Sequence, residues 1–435
     1  MFDYLLILVV LLLVSTGIMF IYSSGINAYG FLVRNEYKKQ IVWACIGVVF
    51  MLLLTIYDYR KLEKKSVFLF VLFIFLLLYT LLFGKYVNGA KSWIGFSSFG
   101  IQPSEFGKLI FILFLASFLS KSPIENQLLK YTIACCILLI PLSLILLQPD
   151  LGTAVVYIPI FLLMCFMANV PLKYLLYTIT FGSLSIAFTV LPIWNTYLSN
   201  KSYTAILILN NLKIRLFLII TLSILSITGF IIHHYFNSPK YIKVISIFTF
   251  IISLSLVLSF VLGKVLKDYQ IMRLIIFMNP EVDPQGAGWN IIQSKIAIGS
   301  GGAFGQGYLQ GTQSHYRFLP EQSTDFIFSI LSEELGFTGC IVIFMLYLII
   351  LLKILYIMKK CTDKYALYIC AGILALFCYH FFINVGMVMG IMPITGIPLL
   401  FLSYGGSSLM TSMCCVGIVM SIGYRKNNIH SKVGY

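Results

Sequence analysis

Residues 4–24 read YLLILVVLLLVSTGIMFIYSS, a run without a single charge. A hydrocarbon layer of about 30 Å needs about 20 such residues as helix. There a helix satisfies its own backbone, whereas an open strand leaves N–H and C=O groups without partners. Eleven further apolar runs follow, near 40–58, 66–84, 104–120, 131–148, 151–170, 174–193, 214–234, 241–263, 326–357, 365–391 and 404–424. The expected fold is therefore all-α, a polytopic integral membrane helical bundle of about twelve transmembrane helices, read as one domain over 1–435. Of the 435 residues 60% are apolar and 10% charged, a balance that excludes a water-soluble domain. Met1-Phe2-Asp3 lacks the basic start of a secretory signal, so the first run is expected to be a retained anchor.

Cations order the runs relative to the bilayer. The loops after even-numbered runs carry Arg60, Lys61, Lys121, Lys173, Lys240 and Lys360, and the tail carries Arg425. Positive loops stay in the cytoplasm. Both termini are then cytoplasmic, and 85–103, the turn Gln148-Pro149-Asp150 and the long segment 264–325 face outward. Arg34, Lys38 and Lys39 in the first outer loop weaken the bias. The formal charge of +15 follows from this distribution and needs no nucleic-acid partner. Most of the ten cysteines lie inside apolar runs, with no disulfide framework and no zinc spacing.

Proton transfer needs an acid or base, and only fifteen carboxylates are present. Asp3, Glu36, Asp58, Glu63, Glu125 and Asp363 sit at termini or short loops beside cations, where a solvated face is the plain reading. Glu105, Asp150, Glu333 and Glu334 fall at or within runs, where an ionisable group is costly and a role is expected. Asp268, Glu281, Asp283, Glu321 and Asp325 lie in the long outer segment. Lys108 follows Glu105 at i+3 on the same helical face, either as an ion pair joining helices or as a pair facing substrate. Asp150 is placed to cap the sixth run. Asp325, where polar loop meets the run starting at Phe326, reads as a helix cap or as a half-buried general base. Among the histidines, His380 lies inside a run and only His315 is placed to reach an outer site. Residues 299–307, GSGGAFGQG, lack the Lys-Ser/Thr ending of a nucleotide loop and read as a tight re-entrant or interfacial turn.

Five blocks carry a family resemblance: Asn88 to Ile94 with Gln102-Pro103-Ser104-Glu105; Gln148 to Thr153; Gly288 to Gly307; Phe318 to Asp325; and Met392 to Pro398 with Ser403 to Ser408. With these the chain resembles the shape, elongation, division and sporulation (SEDS) family of peptidoglycan polymerases, which includes RodA, FtsW and SpoVE, and its 286–314 segment is nearest the RodA branch. The resemblance implies a glycosyltransferase acting on lipid II at the outer face of the cytoplasmic membrane, with Asp325 as the catalytic carboxylate. It implies substrate contacts around Lys108, Glu105, Arg273, Lys295, Trp93, Asp150, Glu321, Gln293 and Ser403. A class B penicillin-binding protein, other elongation-complex membrane proteins and the lipid bilayer are the implied partners. The resemblance fixes no definite cofactor, while a magnesium or manganese ion bridging a carboxylate and the pyrophosphate suits the chemistry. Two departures stand out. Ser323 occupies the position where the family commonly has histidine, and 202–263 looks like a helical pair inserted into a ten-span core. The competing readings are a lipid II flippase, suggested by intramembrane charges such as Glu333 and Glu334, and the division or sporulation branch of the same family.

Overall fold

The computed structural model describes residues 3–87, 89–95, 100–198, 211–236, 239–266, 268–278, 287–316, 318 and 321–432. In chain order the helices are α1 (Tyr4–Ser24), α2 (Glu36–Ile56), α3 (Tyr59–Phe83), α4 (Pro103–Lys121), α5 (Gln127–Leu147), α6 (Leu151–Met167), α7 (Leu172–Leu198), α8 (Leu212–Tyr235), α9 (Lys240–Val265), α10 (Asp268–Met278), α11 (Ala287–Ser300), α12 (Thr312–His315), α13 (Ile327–Lys359), α14 (Lys364–Val388) and α15 (Gly406–Lys432). Among the described residues eleven helices are long and apolar enough to cross a bilayer, and α6 is apolar but only 17 residues long. Each of the twelve expected runs coincides with one of these helices. The protein is a multi-pass helical membrane protein.

Helix starts follow local chemistry. Asp3, Asp58, Asn126, Asp150, Asn211 and Asp363 each cap a helix by accepting a backbone N–H of its first turn. Three of the carboxylates expected to be merely solvated are thus caps, and each also meets a cation: Asp3 with Lys353 at 3.0 Å, Asp58 with Arg425 at 3.6 Å and Asp363 with Arg60 at 4.0 Å.

Where a single domain over 1–435 was expected, the contacts divide the chain into two compact units, 1–169 with 285–435 and 170–284. In the first, α2 packs along α15, α3 on α4, α14 on both α4 and α6, and α13 on α1 and α11. The second holds α7 to α10. Its α8 and α9, the pair read as an insertion at 202–263, lie antiparallel; positions 202–210 are outside the described residues. Hydroxyls join the two helices, with Ser223 Oγ 2.8 Å from Ser253 Oγ and Ser226 Oγ donating to Ser246 O at 2.9 Å. Arg215 adds a bond to Leu256 O at 2.9 Å. Polar side chains are an effective joint between helices surrounded by lipid. Within the same unit Ile271 and Ile275 of α10 pack on Val190 of α7.

The long segment 264–325 contains α10, α11 and the single turn α12. One expectation is corrected: the run 326–357 is not one unbroken helix, because Gly336 takes φ 66°, ψ −163° within α13 and interrupts it. The glycine-rich stretch crosses that break and takes over its backbone bonds. Gln306 N and Gly307 N donate to the carbonyls of Glu333 and Glu334 at 3.0 Å each, and Phe337 N and Thr338 N donate to Gly302 O and Ala303 O at 2.9 and 3.0 Å. Irregular backbone at membrane depth persists only where protein groups satisfy it. Glycine is needed for the crossing, since a Cβ on Gly305 would overlap the Glu334 carbonyl and one on Gly336 would overlap the Gly305 amide. Among the described residues the 85–103 segment adds the single two-stranded sheet, a hairpin of β1 (Lys85–Val87) and β2 (Ala90–Trp93).

Candidate functional site

Four of the five motif blocks meet within the first unit. Lys91 N donates to Gln148 O at 3.2 Å, Gln102 N to Ser407 Oγ at 3.1 Å and Tyr404 N to Ser323 O at 2.7 Å. Gly152 abuts the Thr395 carbonyl so closely that no Cβ would fit. Blocks far apart in sequence thus come into contact.

Pro103 opens α4, and Glu105 in its first turn complements the helix dipole. Lys108 lies one turn on, its Nζ 2.5 Å from Glu105 Oε1, and the two side chains are 1% and 5% exposed. A charge so deeply buried requires a partner. A third group completes the cluster: His380 of α14, fully buried, places Nε2 3.3 Å from Lys108 Nζ. His380, and not His315, is the histidine beside this pair. His315 is buried elsewhere, with Nδ1 3.2 Å from Ile26 O and Nε2 3.8 Å from Glu334 Oε1. The available signal for His380 was its ionisable ring inside an apolar run, which by itself names no partner.

Asp150 accepts from Thr153 N at 3.2 Å and from Gln102 Nε2 at 2.6 Å, so it caps α6 and also ties that helix to the start of α4. Burial pushes its carboxyl above the usual range; the Thr153 bonds oppose this, the charge of Glu105 adds to it and that of Lys108 subtracts.

Asp325 is half-buried in the turn 321–326. The residue capping α13 is Phe326, one position later, so capping is not the place Asp325 holds. Three elements hold this turn. Ser323 Oγ donates to Glu36 Oε2 of α2 at 2.5 Å, Ser323 O accepts from Tyr404 N, and Asp325 O accepts from Asn384 Nδ2 of α14 at 3.0 Å. Glu321 begins the turn, exposed and at φ 49°, a conformation that surrounding contacts must impose on a residue with a Cβ. Glu36, half-buried and 3.8 Å from the exposed Arg34, thus also binds the turn that carries Asp325. Its bond to Ser323 stands where the family commonly carries histidine.

The other expected residues have varied settings. Ser403 is a turn-former: its Oγ accepts from Leu399 N at 2.8 Å and its carbonyl from Gln40 Nε2 at 3.2 Å. Lys295 is exposed on α11, and its end lies against Gly390 just beyond α14. Gln293, on the same helix, is buried. Trp93 is half-buried at the end of β2 beside Gly100. Arg273 belongs to α10 of the second unit. Glu281, Asp283 and Arg317 lie outside the described residues. Glu333 and Glu334, the charges behind the flippase reading, are occupied in holding the loop 306–315. Glu333 accepts from Thr312 Oγ1, Gln313 N and Ser314 N at 3.2, 2.7 and 3.2 Å, and Glu334 accepts from Leu309 N at 3.1 Å and from Ser23 Oγ. Among the described residues no group of three or more His, Cys, Asp or Glu side chains could hold a metal ion.

Comparison with known proteins matches residues 3–212 and 203–428 to the model of the FtsW, RodA and SpoVE cell cycle proteins. The chain belongs to that family. It is 53% identical over 425 residues to peptidoglycan glycosyltransferase RodA of Treponema pallidum (strain Nichols), covering 98% of each chain. It is 32% identical to stage V sporulation protein E of Bacillus subtilis (strain 168), over 97% of this chain and 96% of that one. Among solved structures, a chain from a peptidoglycan synthase complex that coordinates polymerization and crosslinking superposes with TM-score 0.67 at 25% identity, covering 98% of both chains. RodA of Thermus thermophilus shares the fold, with TM-score 0.61 over 98% of this chain and 97% of that one.

Proposed function

We propose that this chain is a peptidoglycan glycosyltransferase of the RodA type that polymerises lipid II, with Asp325 as its general base. The observation carrying the reading is a half-buried carboxylate in a turn held by bonds to Glu36, Tyr404 and Asn384, within the same unit as the buried Glu105–Lys108 pair. Outside the cell no nucleotide sugar is at hand, so the donor sugar must come activated on a lipid pyrophosphate. The 4-hydroxyl oxygen of the acceptor forms the new bond to C1 of the donor sugar, and the bond from C1 to the pyrophosphate oxygen breaks. The hydroxyl proton passes to Asp325, and undecaprenyl pyrophosphate leaves with the electron pair. Positive charge favours that departure most where water is excluded. Lys108 supplies such charge from within the bundle, and Lys295, exposed on α11, is the second cation assigned to the phosphates in this reading. A magnesium or manganese ion would find hard oxygen ligands in the carboxylates of the 321–325 turn together with the substrate's own phosphates, and would neutralise the pyrophosphate.

The reading extends to the setting. The chain resides in the bacterial cytoplasmic membrane with both termini in the cytoplasm, as its loop cations support. It works beside a class B penicillin-binding protein and other elongation-complex proteins, a pairing supported by the peptidoglycan synthase complex one of whose chains shares this fold. The test is Asp325→Asn in purified protein given lipid II. No glycan polymer is expected, at an unchanged melting temperature; polymer at the wild-type rate rejects the assignment. Movement of labelled lipid II across liposomes without polymer would favour the flippase.

A further inference from the structure

His380 and Asn384 lie four residues apart on α14, hence on one face of that helix, and both are fully buried. They reach the same short stretch of backbone. His380 Nδ1 is 2.9 Å from Pro398 O, and Asn384 Nδ2 donates to Ile397 O at 2.8 Å. A carbonyl only accepts, so Nδ1 carries the ring proton, and in the neutral ring Nε2 then offers a lone pair. That lone pair faces Lys108 Nζ at 3.3 Å. An ammonium has three donors and no acceptor, so Lys108 donates to His380 as well as to Glu105. Asn384 in turn donates to Asp325 O at 3.0 Å. Hydrogen bonds and the 397–398 backbone thus run without interruption from Glu105 through Lys108, His380 and Asn384 to the turn carrying Asp325.

We infer that His380 is a positioning residue: it sets the Lys108 ammonium relative to the Asp325 turn by tying it to the backbone stretch that Asn384 also holds. The inference rests on the roles proposed above for Lys108 and Asp325. A leaving group and a base must be served in one geometry, and displacement by about 1 Å can cost about 100-fold in rate. A ring that only filled space between α4 and α14 would not need an acceptor at the ε position.

Full-length Asp325→Asn, His380→Asn and His380→Gln, reconstituted in liposomes with fluorescent lipid II, test it. Asparagine keeps a donor at the δ position for Pro398 and removes the ε acceptor; glutamine returns an amide oxygen near the ε position. Turnover is expected to fall about 10- to 100-fold in His380→Asn with little change in the half-saturating lipid II concentration, and to recover most of the way in His380→Gln. Equal turnover in the two His380 variants overturns the inference, as does a loss confined to the half-saturating concentration. Should His380→Asn fail to give a monodisperse folded protein, His380→Leu against His380→Gln makes the same comparison of acceptor absent and present. Polymer formed by Asp325→Asn while the His380 variants behave as expected rejects the base and leaves the placement of Lys108 standing.

Discussion

Replacing Lys108 by methionine removes one half of a pair in which both charges are almost wholly out of water. Glu105, 4% exposed, then loses the donor 2.5 Å away, and His380 Nε2 loses the donor that faces it. Breaking a buried pair in this way costs about 3–5 kcal/mol, because the surviving charge stays desolvated. The Lys108→Met protein should therefore melt at a lower temperature and make no detectable polymer. A second variant, Glu105→Gln with Lys108→Met, separates the two consequences. With neither charge present, most of the lost stability should return, since uncharged replacements of a buried pair are often neutral or better. Turnover should not return. A missing positive charge near the departing pyrophosphate leaves the rate about 100- to 1,000-fold down. Melting of the purified protein and gel analysis of glycan from fluorescent lipid II read the two quantities on one sample. Wild-type polymerisation by the double variant would refute the reasoning and reduce the pair to a joint between helices.

Other perturbations probe the surroundings of the site. Gly305→Ala should lose about 3 kcal/mol or more, since φ 80° disfavours a Cβ and the crossing bonds to α13 would part; an unchanged melting temperature would contradict the account of the Gly336 break. Glu333→Ala leaves Thr312 Oγ1, Gln313 N and Ser314 N without their acceptor, so hydrogen exchange at 312–315 should accelerate well beyond that of neighbouring loops. For Asp150, burial raises the folded-state pKa, so folding favours the protonated acid. Its charging penalty is absent below about pH 4, grows between the unfolded value and the raised folded value, and is complete above the latter. Asp150→Asn should flatten that fall of stability with rising pH, and a pH–stability curve identical to wild type would show that the charge has no such cost.

The twelve apolar runs were legible because hydropathy is a local property: a span is apolar whatever it packs against, and Asp or Asn at a helix start caps it with groups two or three residues away. The candidate site was legible in part for the same reason, since Glu105 and Lys108 share one helical turn and Asp325 sits where polar sequence meets apolar. The break at Gly336 was not, because a glycine inside an apolar run bends a helix only if another segment arrives to satisfy the exposed backbone, and that segment is 301–307. Nor were the parts of His380, Asn384 and Glu36. Each acts on a residue distant in the chain, Lys108, Asp325 and Ser323 respectively, and such pairings arise only when packing sets the rotation of each helix about its own axis. Composition chose the solvent and the elements; the tertiary structure decided which buried polar atoms face one another, because in a dry interior those atoms must find partners in whatever helix lies opposite.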